Sequence, residues 1–300
     1  MAASAASVVL AGAGWGVWEW GFADSRSAGA GAKTLAAAAG TSAAPARPDA
    51  QTVLSQELAA AWAEAVPAAQ GRFALGVRDV RTGAVAVAGQ DDFRFNTASV
   101  VKSHILAATL LKAQDEKREL TAFELRQVVP MIRQSANEPA TALWPGVGRD
   151  AGMKKAYERF GMTETSPGTL DRWGLTTTTV RDQLRFLEML HSPDSPLNET
   201  SRAYQLNLMS TLDKDQIEGG VHTIADPGST YAAKDGWLPR SQTGLWVINS
   251  IGRLPVSGRL LDIVVLSQDQ RSQDAGVQQG EKMLRAVMPR LVTALNERAT

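Results

Sequence analysis

Hydrophobic positions recur with two different periods along the chain, and these periods separate its ends from its middle. Alternating apolar residues predict strands, whereas apolar residues every three to four positions predict amphipathic helices. The predicted strands are 72–80, 84–88, 230–234, 244–250 and 260–267. The predicted helices are 54–66, 99–113, 122–135, 150–160, 179–191, 200–211 and 275–295.

Strands at both ends with helices between them favour an α+β fold. The short turn Arg81-Thr82-Gly83 between the first two strands predicts a hairpin. We expect an antiparallel sheet flanked by the N- and C-terminal helices, with an all-helical lobe inserted into it. A cleft between two such lobes is a natural ligand site.

The first 50 residues differ from the rest of the chain. Residues 1–21 are apolar and small, with Glu19 inside the run and no Lys or Arg, and we interpret them as an export or anchor segment. Residues 22–50, rich in Ala, Gly, Ser and Pro, predict a flexible linker. The remaining 51–298 form the predicted globular domain, with an α/β lobe of 51–98 and 216–298 and a helical lobe of 99–215.

Composition excludes several classes of function. The 31 basic and 31 acidic residues give a net charge of zero, which removes the electrostatic argument for nucleic-acid binding. The chain has no cysteine, so disulfides, thiolate metal sites and cysteine nucleophiles are excluded. None of the chemistry considered below requires a metal or a cofactor.

Ser99 and Lys102 are the first candidates for chemistry. They stand three residues apart at the start of the helix 99–113, so they share one helix face. A hydroxyl beside an amine is a plausible activated nucleophile. The alternative is an ordinary serine N-cap followed by a surface lysine.

Two later motifs supply partners for this pair. Ser135 and Asn137 fall where a helix gives way to a turn before Pro139, and Lys234-Asp235-Gly236-Trp237 closes a late strand. Each motif alone is also consistent with a plain helix end or strand end.

The ordered motifs S-x-x-K, S-x-N and K-x-G together resemble the active-site serine penicillin-recognising enzymes, most strongly the class A β-lactamases. The resemblance extends over about 51–298 and includes FNTASVVKSHILAATLL, MIRQSANEPATALW and AAKDGW followed by LWVINSIGRL. LDRW and TTTT, within 170–179, are similar to the Ω-loop region of that family. The resemblance implies a β-lactamase/transpeptidase-like fold.

The resemblance also implies the roles of these residues in acylation. Ser99 would be the nucleophile and Lys102, with a depressed pKa, its base. Ser135, helped by Lys234, would pass a proton to the leaving nitrogen, and Asn137 would bind the side-chain amide of the substrate.

Two further residues complete the implied binding site. The backbone N–H groups of Ser99 and Trp237 would form the oxyanion hole. Gly236 would keep the strand edge flat, so that the substrate backbone can approach.

The chain departs from the family at three points. The Ω-loop lacks the family's E-x-x-x-N stretch, and neither Glu164 nor Glu138 has its context, so we expect a persistent acyl-enzyme. Asp235 replaces a hydroxyl that helps to bind the substrate carboxylate, so repulsion would favour an uncharged or cationic ligand. Ala136 replaces an acid that is mainly structural in the family.

The sequence therefore supports two main hypotheses. The first is a serine hydrolase acting on a β-lactam or a cell-wall-peptide-like amide or ester, with slow deacylation. The second is a ligand-binding or regulatory module that keeps the fold but is catalytically impaired. A Ser-His-Asp hydrolase is disfavoured because no G-x-S-x-G motif occurs.

These hypotheses carry expectations about partners and location. We expect a small-molecule or peptidoglycan-like substrate, no nucleic-acid partner, no cofactor and a monomer. We expect an exported or membrane-anchored protein outside the cytoplasm, attached, if at all, through its N-terminal segment.

Overall fold

Alternating apolar residues build a five-stranded antiparallel sheet in the order β2-β1-β7-β6-β5. The structure, a computed structural model, describes residues 48–65, 71–216 and 219–297. The strands are β1 (Arg72–Asp79), β2 (Val85–Gly89), β3 (Phe95–Asn96), β4 (Thr177–Thr178), β5 (Ala232–Pro239), β6 (Trp246–Val256) and β7 (Arg259–Gln268). β3 and β4 pair separately as a short two-stranded sheet.

In the described part of the chain, one helix precedes the first strand, one follows the last strand, and the other six lie between β3 and β5. The helices are α1 (Ala50–Ala65), α2 (Val101–Asp115), α3 (Ala122–Arg133), α4 (Asn137–Leu143), α5 (Arg149–Phe160), α6 (Val180–Met189), α7 (Glu199–Ser210) and α8 (Gln273–Asn296). Several begin with a side-chain cap; in α3, Thr121 and Glu124 form a reciprocal capping box. Within the described ranges, no helix is both long and apolar enough to cross a membrane.

The sheet separates two hydrophobic cores. Phe73 and Leu75 of β1 face one side, where α1 and α8 pack, and Ala74 faces the other, where the central helices pack. β7 follows the same alternation. The period of two along each strand therefore attaches terminal helices to one face and helices of the middle to the other.

The chain is held firmly where it leaves the sheet for α2. Asn249 of β6 donates its side-chain amide to the carbonyl oxygens of Asn96 at 2.7 Å and Thr97 at 3.0 Å. Its own amide oxygen accepts the backbone N–H of Ser267 at 2.9 Å. These bonds fix the segment before Ser99 against the centre of the sheet.

The α+β fold predicted from the sequence is confirmed: the sheet is antiparallel, and β1 and β2 form the expected hairpin. The late strands are longer than predicted, because β6 runs on through Pro255 to Val256. α4 was not predicted; the turn expected before Pro139 is shorter, and Pro139 lies in the first helical turn, where its missing N–H costs little. The predicted export segment 1–21 and the linker up to residue 47 lie outside the described residues.

Candidate active site

Ser99 lies in a short 3-10 helix, Ala98–Val100, that runs directly into α2. The N-cap position of this turn is Thr97, and that of α2 is Val100, so Ser99 is not the helix cap that the simpler interpretation requires. Ala98 has a φ of 48°, a left-handed conformation that a residue other than glycine adopts only under constraint. The half-buried Ser99 hydroxyl instead contacts Lys102.

Lys102 is fully buried and joins the three segments of the site. Its Nζ lies 2.9 Å from Ser99 Oγ, 3.2 Å from Ser135 Oγ and 2.8 Å from Asn137 Oδ1, and it also contacts the carbonyl oxygen of Ser135. Burial, reinforced by the positive charge of Lys234, lowers the pKa of Lys102 to about 7. Near neutral pH a large fraction of this amine is therefore unprotonated.

A neutral amine can also make the short contacts of Lys102. An unprotonated amine has two N–H donors and one lone pair. The two donors have acceptors in the Ser135 carbonyl and Asn137 Oδ1, and the lone pair can accept the hydroxyl proton of Ser99. This is the arrangement required of a general base beside a serine nucleophile.

Ser135 and Asn137 reach this amine because the chain turns sharply between α3 and α4. The backbone N–H groups of Gln134 and Ala136 both donate to the carbonyl of Pro130, at 3.2 and 3.1 Å. Ser135 between them has a φ of 53°, again left-handed. The constrained turn directs both the carbonyl and the hydroxyl of Ser135 to Lys102.

Lys234 approaches Ser135 from β5. Its buried Nζ lies 2.9 Å from Ser135 Oγ and 2.9 Å from the carbonyl oxygen of Asp235. Burial lowers the pKa of Lys234 to about 8, against the opposing effect of the Asp235 charge. Ser135 Oγ therefore stands between two amines.

Gly236 lets β5 touch the turn of Ser99. A Cβ at this position would lie 2.7 Å from the backbone nitrogen of Ser99 and 2.8 Å from the carbonyl oxygen of Thr97. The groups that approach Gly236 in this structure belong to the backbone of the Ser99 turn, and the approach of a substrate backbone stays a prediction. A side chain at 236 would push the strand away from Ser99.

The side chain of Asp235 is buried against β6. Its side chain is 4% exposed, accepts a hydrogen bond from Ser250 Oγ, and has Oδ2 3.7 Å from His222 Nδ1. Burial raises the pKa of its carboxyl group, and His222, Ser250 and Lys234 oppose that rise. The carboxyl group of Asp235 is therefore not among the groups that border the cleft described below, and its effect on a substrate carboxylate stays a prediction.

A cleft of about 760 Å³ opens in front of Ser99. It is bordered by Ala98, Ser99, Asn137, the loop 171–175 and the strand end 237–242. Lys102, Ser135 and Lys234 lie behind this surface and are connected to it through Ser99 and Asn137. Trp237 borders the cleft next to Gly236, as the predicted site requires.

The loop before α6 is closed at its base. The N–H and C=O groups of Ser166 and Thr177 bond reciprocally at 2.9 Å, and Gly168 N–H donates to Thr176 Oγ1 at 3.1 Å. A compact surface loop with adjoining ends is the geometry of an Ω-loop. It places Trp173 over the amine of Lys102, with 5.3 Å between Nζ and the ring centroid.

No carboxylate in the described residues bonds to Ser99 or Lys102. Asp171 borders the cleft but pairs with Arg149, and Glu164 Oε2 accepts a hydrogen bond from Thr179 at 3.1 Å. Glu138 is exposed at the start of α4. Sequence reasoning missed Trp173 as a site residue, and its position within LDRW was the available signal.

Metal ligands do not converge in the part of the chain that the structure describes. No group of three or more His, Asp or Glu side chains is placed there to hold a metal ion.

Comparisons with known proteins agree with this fold. The TLA-3 extended-spectrum β-lactamase superposes with a TM-score of 0.70 over 79% of this chain and 99% of its own, at 15% identity. A class A β-lactamase from Bacteroides cellulosilyticus gives 0.66 over 82% and 99%, at 14% identity. The chain therefore has the fold of the class A β-lactamases, a serine hydrolase fold.

Sequence comparison gives a second set of similar proteins. No protein-family model matches the chain. Proteins named "Putative lipoprotein LppW" from Mycobacterium tuberculosis and Mycobacterium bovis are 26% identical over 146 residues, which is 47% of this chain. The match spans 46% of those relatives, or about half their length.

Proposed function

We propose that the protein is a serine hydrolase that forms an acyl-enzyme at Ser99, with Lys102 as the base. The observation that carries this proposal is the buried Lys102 amine, 2.9 Å from Ser99 Oγ with a pKa of about 7. A base whose pKa lies near the working pH combines the correct protonation state with useful proton affinity. The fold of the solved β-lactamases supports the same class of reaction.

Acylation begins with transfer of the Ser99 hydroxyl proton to Lys102 Nζ, as Oγ attacks the carbonyl carbon of the substrate. The tetrahedral oxyanion is then held by the backbone N–H groups of Ser99 and Trp237. When the carbonyl re-forms, the bond to the leaving nitrogen or oxygen breaks. Ser135 Oγ gives that atom a proton, and Ser135 is reprotonated by the amines on either side of it.

The role of Trp237 is supported by the register of β5. β5 is an edge strand, and the Asp235 carbonyl accepts from Lys234 Nζ, which places the Asp235 peptide groups on the free edge. Backbone groups of residues two apart in a strand point to the same edge. The N–H of Trp237 therefore points to the free edge, beside the Ser99 turn that Gly236 contacts.

The substrate class that we propose is a β-lactam or a cell-wall-peptide-like amide or ester, and deacylation is slow. An acyl-enzyme is hydrolysed when a base activates a water molecule at its carbonyl carbon. On the loop side the group above Lys102 is the indole of Trp173, and the acids Asp171 and Glu164 are bonded elsewhere. Steady-state hydrolysis of a chromogenic cephalosporin at about 10 per second would contradict slow deacylation.

We also propose an extracytoplasmic, exported or membrane-anchored location and a monomeric state, with no nucleic-acid partner. The location rests on the apolar segment 1–21 and on the lipoprotein name of the sequence relatives. The monomeric state is proposed because the described residues of one chain supply all the groups that we assign to acylation.

Intact-protein mass spectrometry after incubation with a panel of β-lactams tests the proposal. The expected result is a mass increase of one acyl unit that maps to Ser99, persists for minutes or longer, and is absent in Ser99→Ala. Ser103→Ala, one turn further along α2, serves as the matched serine control. Labelling that survives Ser99→Ala would contradict the assignment of the nucleophile.

The second candidate function is a binding module of the same fold that has lost turnover. It is favoured by the indole that stands over Lys102 where a water-activating group would be needed. A fluorescent penicillin and a fluorophosphonate probe discriminate between the two. Reversible binding of either probe without covalent labelling would establish the module and exclude the hydrolase.

A further inference from the structure

The cleft in front of Ser99 is bordered by two arginines that have no charged partner. Arg172 lies in the loop 171–175 and Arg240 follows the end of β5. Among the described residues, neither guanidinium forms an ion pair or a side-chain hydrogen bond, whereas arginines elsewhere in the fold, such as Arg149 and Arg253, are paired with acids. The one acid on the cleft surface, Asp171, is neutralised by Arg149.

The backbone holds both arginines in place. The carbonyl of Arg240 accepts the N–H groups of Thr243 and Gly244, and its N–H donates to Leu245 at 2.8 Å. Arg172 donates to Thr169 at 3.1 Å and accepts from Leu175 at 2.8 Å. A Cβ on Gly168 would lie 2.1 Å from the Arg172 carbonyl oxygen, so the loop folds tightly around this residue. The backbone groups of these two residues are therefore used within their own turns, and their side chains remain available to a ligand.

The roles proposed for Ser135, Lys234 and Asn137 would put both arginines on the acyl side of the scissile bond. Ser135 and Lys234 serve the leaving group, and Arg240 comes six residues after Lys234, roughly 20 Å along an extended strand. Arg172 is next to Trp173, whose Nε1 donates to Thr141 Oγ1 at 3.2 Å, in the helix that begins at Asn137. Asn137 is the residue assigned to the amide of the acyl side chain.

We propose that Arg172 and Arg240 bind a carboxylate on the acyl portion of the substrate and make the enzyme prefer acyl donors that are negatively charged there. This inference rests on the proposed acylation of Ser99 and adds the substrate class. It reverses the preference for uncharged or cationic ligands expected from Asp235, because that carboxyl group is buried behind the sheet edge and the free charges of the cleft are positive. Guanidinium groups suit carboxylates because they donate two parallel hydrogen bonds.

Carbenicillin and benzylpenicillin form a matched pair of probes. They share the bicyclic portion with its carboxylate, and carbenicillin carries one further carboxylate on the acyl side chain. We expect the wild-type protein to be acylated by carbenicillin about tenfold faster at equal low concentration, which is the size of effect expected from a charged hydrogen bond. In Arg172→Gln/Arg240→Gln the ratio of the two rate constants falls towards one.

The matched control is Arg126→Gln, which removes the same charge from the exposed face of α3 and should keep the wild-type ratio. Raising the salt from 0.05 to 0.5 M should also reduce the preference in the wild type, because the charges are partly exposed. An unchanged ratio in the double variant, or an equal loss in Arg126→Gln, overturns the inference.

A binding measurement separates this inference from the proposed function. Calorimetric titration of Ser99→Ala with the same two penicillins does not require acylation. Tighter binding of carbenicillin that disappears when both arginines are replaced supports the carboxylate site even if the wild-type protein is never labelled. Equal binding of the two compounds refutes the carboxylate site even if Ser99 is labelled.

Discussion

The turn that carries Ser99 and the loop that carries Trp173 border the same cleft. Ionisable groups contact the serine hydroxyl in the turn, whereas the acids of the loop are bonded to other residues. On the Ser99 side, the hydroxyls of Ser99 and Ser135 lie within 3.2 Å of the amines of Lys102 and Lys234, and both lysines have lowered pKa values. Along the loop, Asp171 is paired with Arg149, the indole of Trp173 lies over Lys102, and Arg172 has no ion pair among the described residues.

In the mechanism that we propose, this difference separates the formation of the acyl-enzyme from its hydrolysis. Forming the acyl-enzyme needs a base on the serine and a proton for the leaving group, and the Ser99 side supplies both. Releasing the acyl group needs a base on a water molecule, and the loop side offers none in contact. Changes in the loop that carries Trp173 could therefore alter the lifetime of the proposed acyl-enzyme without affecting its formation at Ser99.

The largest effect should come from Lys102. We expect Lys102→Met to reduce the rate of Ser99 acylation by about a thousandfold, because general-base assistance is lost. Lys112→Met, on the exposed side of the same helix, should leave the rate unchanged. Mass spectrometry of samples quenched at successive times gives the acylation rates, and circular dichroism checks that each variant is folded. A variant that is folded and still acylated at the wild-type rate would exclude Lys102 as the base.

The pH dependence of the acylation rate should report the protonation of Lys102 and Lys234. Lys102 must be neutral to accept a proton, so the rate should fall about tenfold per pH unit below its pKa of about 7. Lys234 must be protonated to support Ser135, so the rate should fall again above about pH 8. A probe without ionisable groups between pH 5 and 9 provides the measurement. A flat profile through pH 7 is incompatible with this assignment.

A carboxylate placed in the loop should shorten the life of the acyl-enzyme. Gly174 borders the cleft, and a Cβ there would have no atom within 4 Å, so a longer side chain fits. We expect Gly174→Glu to speed deacylation about tenfold, below the full value of an optimised base. Gly174→Gln is the control of equal size. If the two variants release the acyl group equally slowly, the missing base is not what limits turnover.

The smallest effect should come from Asp235. The asparagine in Asp235→Asn can still accept the hydrogen bond of Ser250, and the replaced group is 4% exposed. We expect the acylation rate of benzylpenicillin to change by less than about threefold. A tenfold gain on removing this charge would show that the carboxylate acts on the substrate after all.

Much of the fold could be predicted because the hydrophobic periodicity and the turn residues of the sequence match the elements of the structure. The alternation in β1 fixes which residues face each core, and the turn Arg81-Thr82-Gly83 fixes the hairpin. α4 was missed because it is seven residues long and contains Pro139, which usually signals a turn. Its stability comes from the burial of Ala140 and Leu143 rather than from local propensity.

The candidate site was only partly predictable. The motifs gave Ser99, Lys102, Ser135 and Lys234, since their spacing in sequence is itself the signal. The burial of Asp235 depends on Ser250 and on Gly220, where a Cβ would lie 2.6 Å from Asp235 Oδ1, and no local pattern reveals these contacts. The position of Trp173 over Lys102 likewise depends on how a distant loop closes.

The contact of Gly236 with the Ser99 turn has a consequence for the order of folding. The whole helical region lies between these two segments in the sequence. The other contacts of the site are similarly distant in sequence: Lys234 and Ser135 are 99 positions apart, and Asn249 and Asn96 are 153 apart. Contacts of such high contact order form late, because a long loop must close before they contribute. We therefore expect the proposed nucleophile, base and oxyanion hole to assemble only when the last strands have docked, so that a nascent or clipped chain lacking β5 and β6 would not be acylated at Ser99.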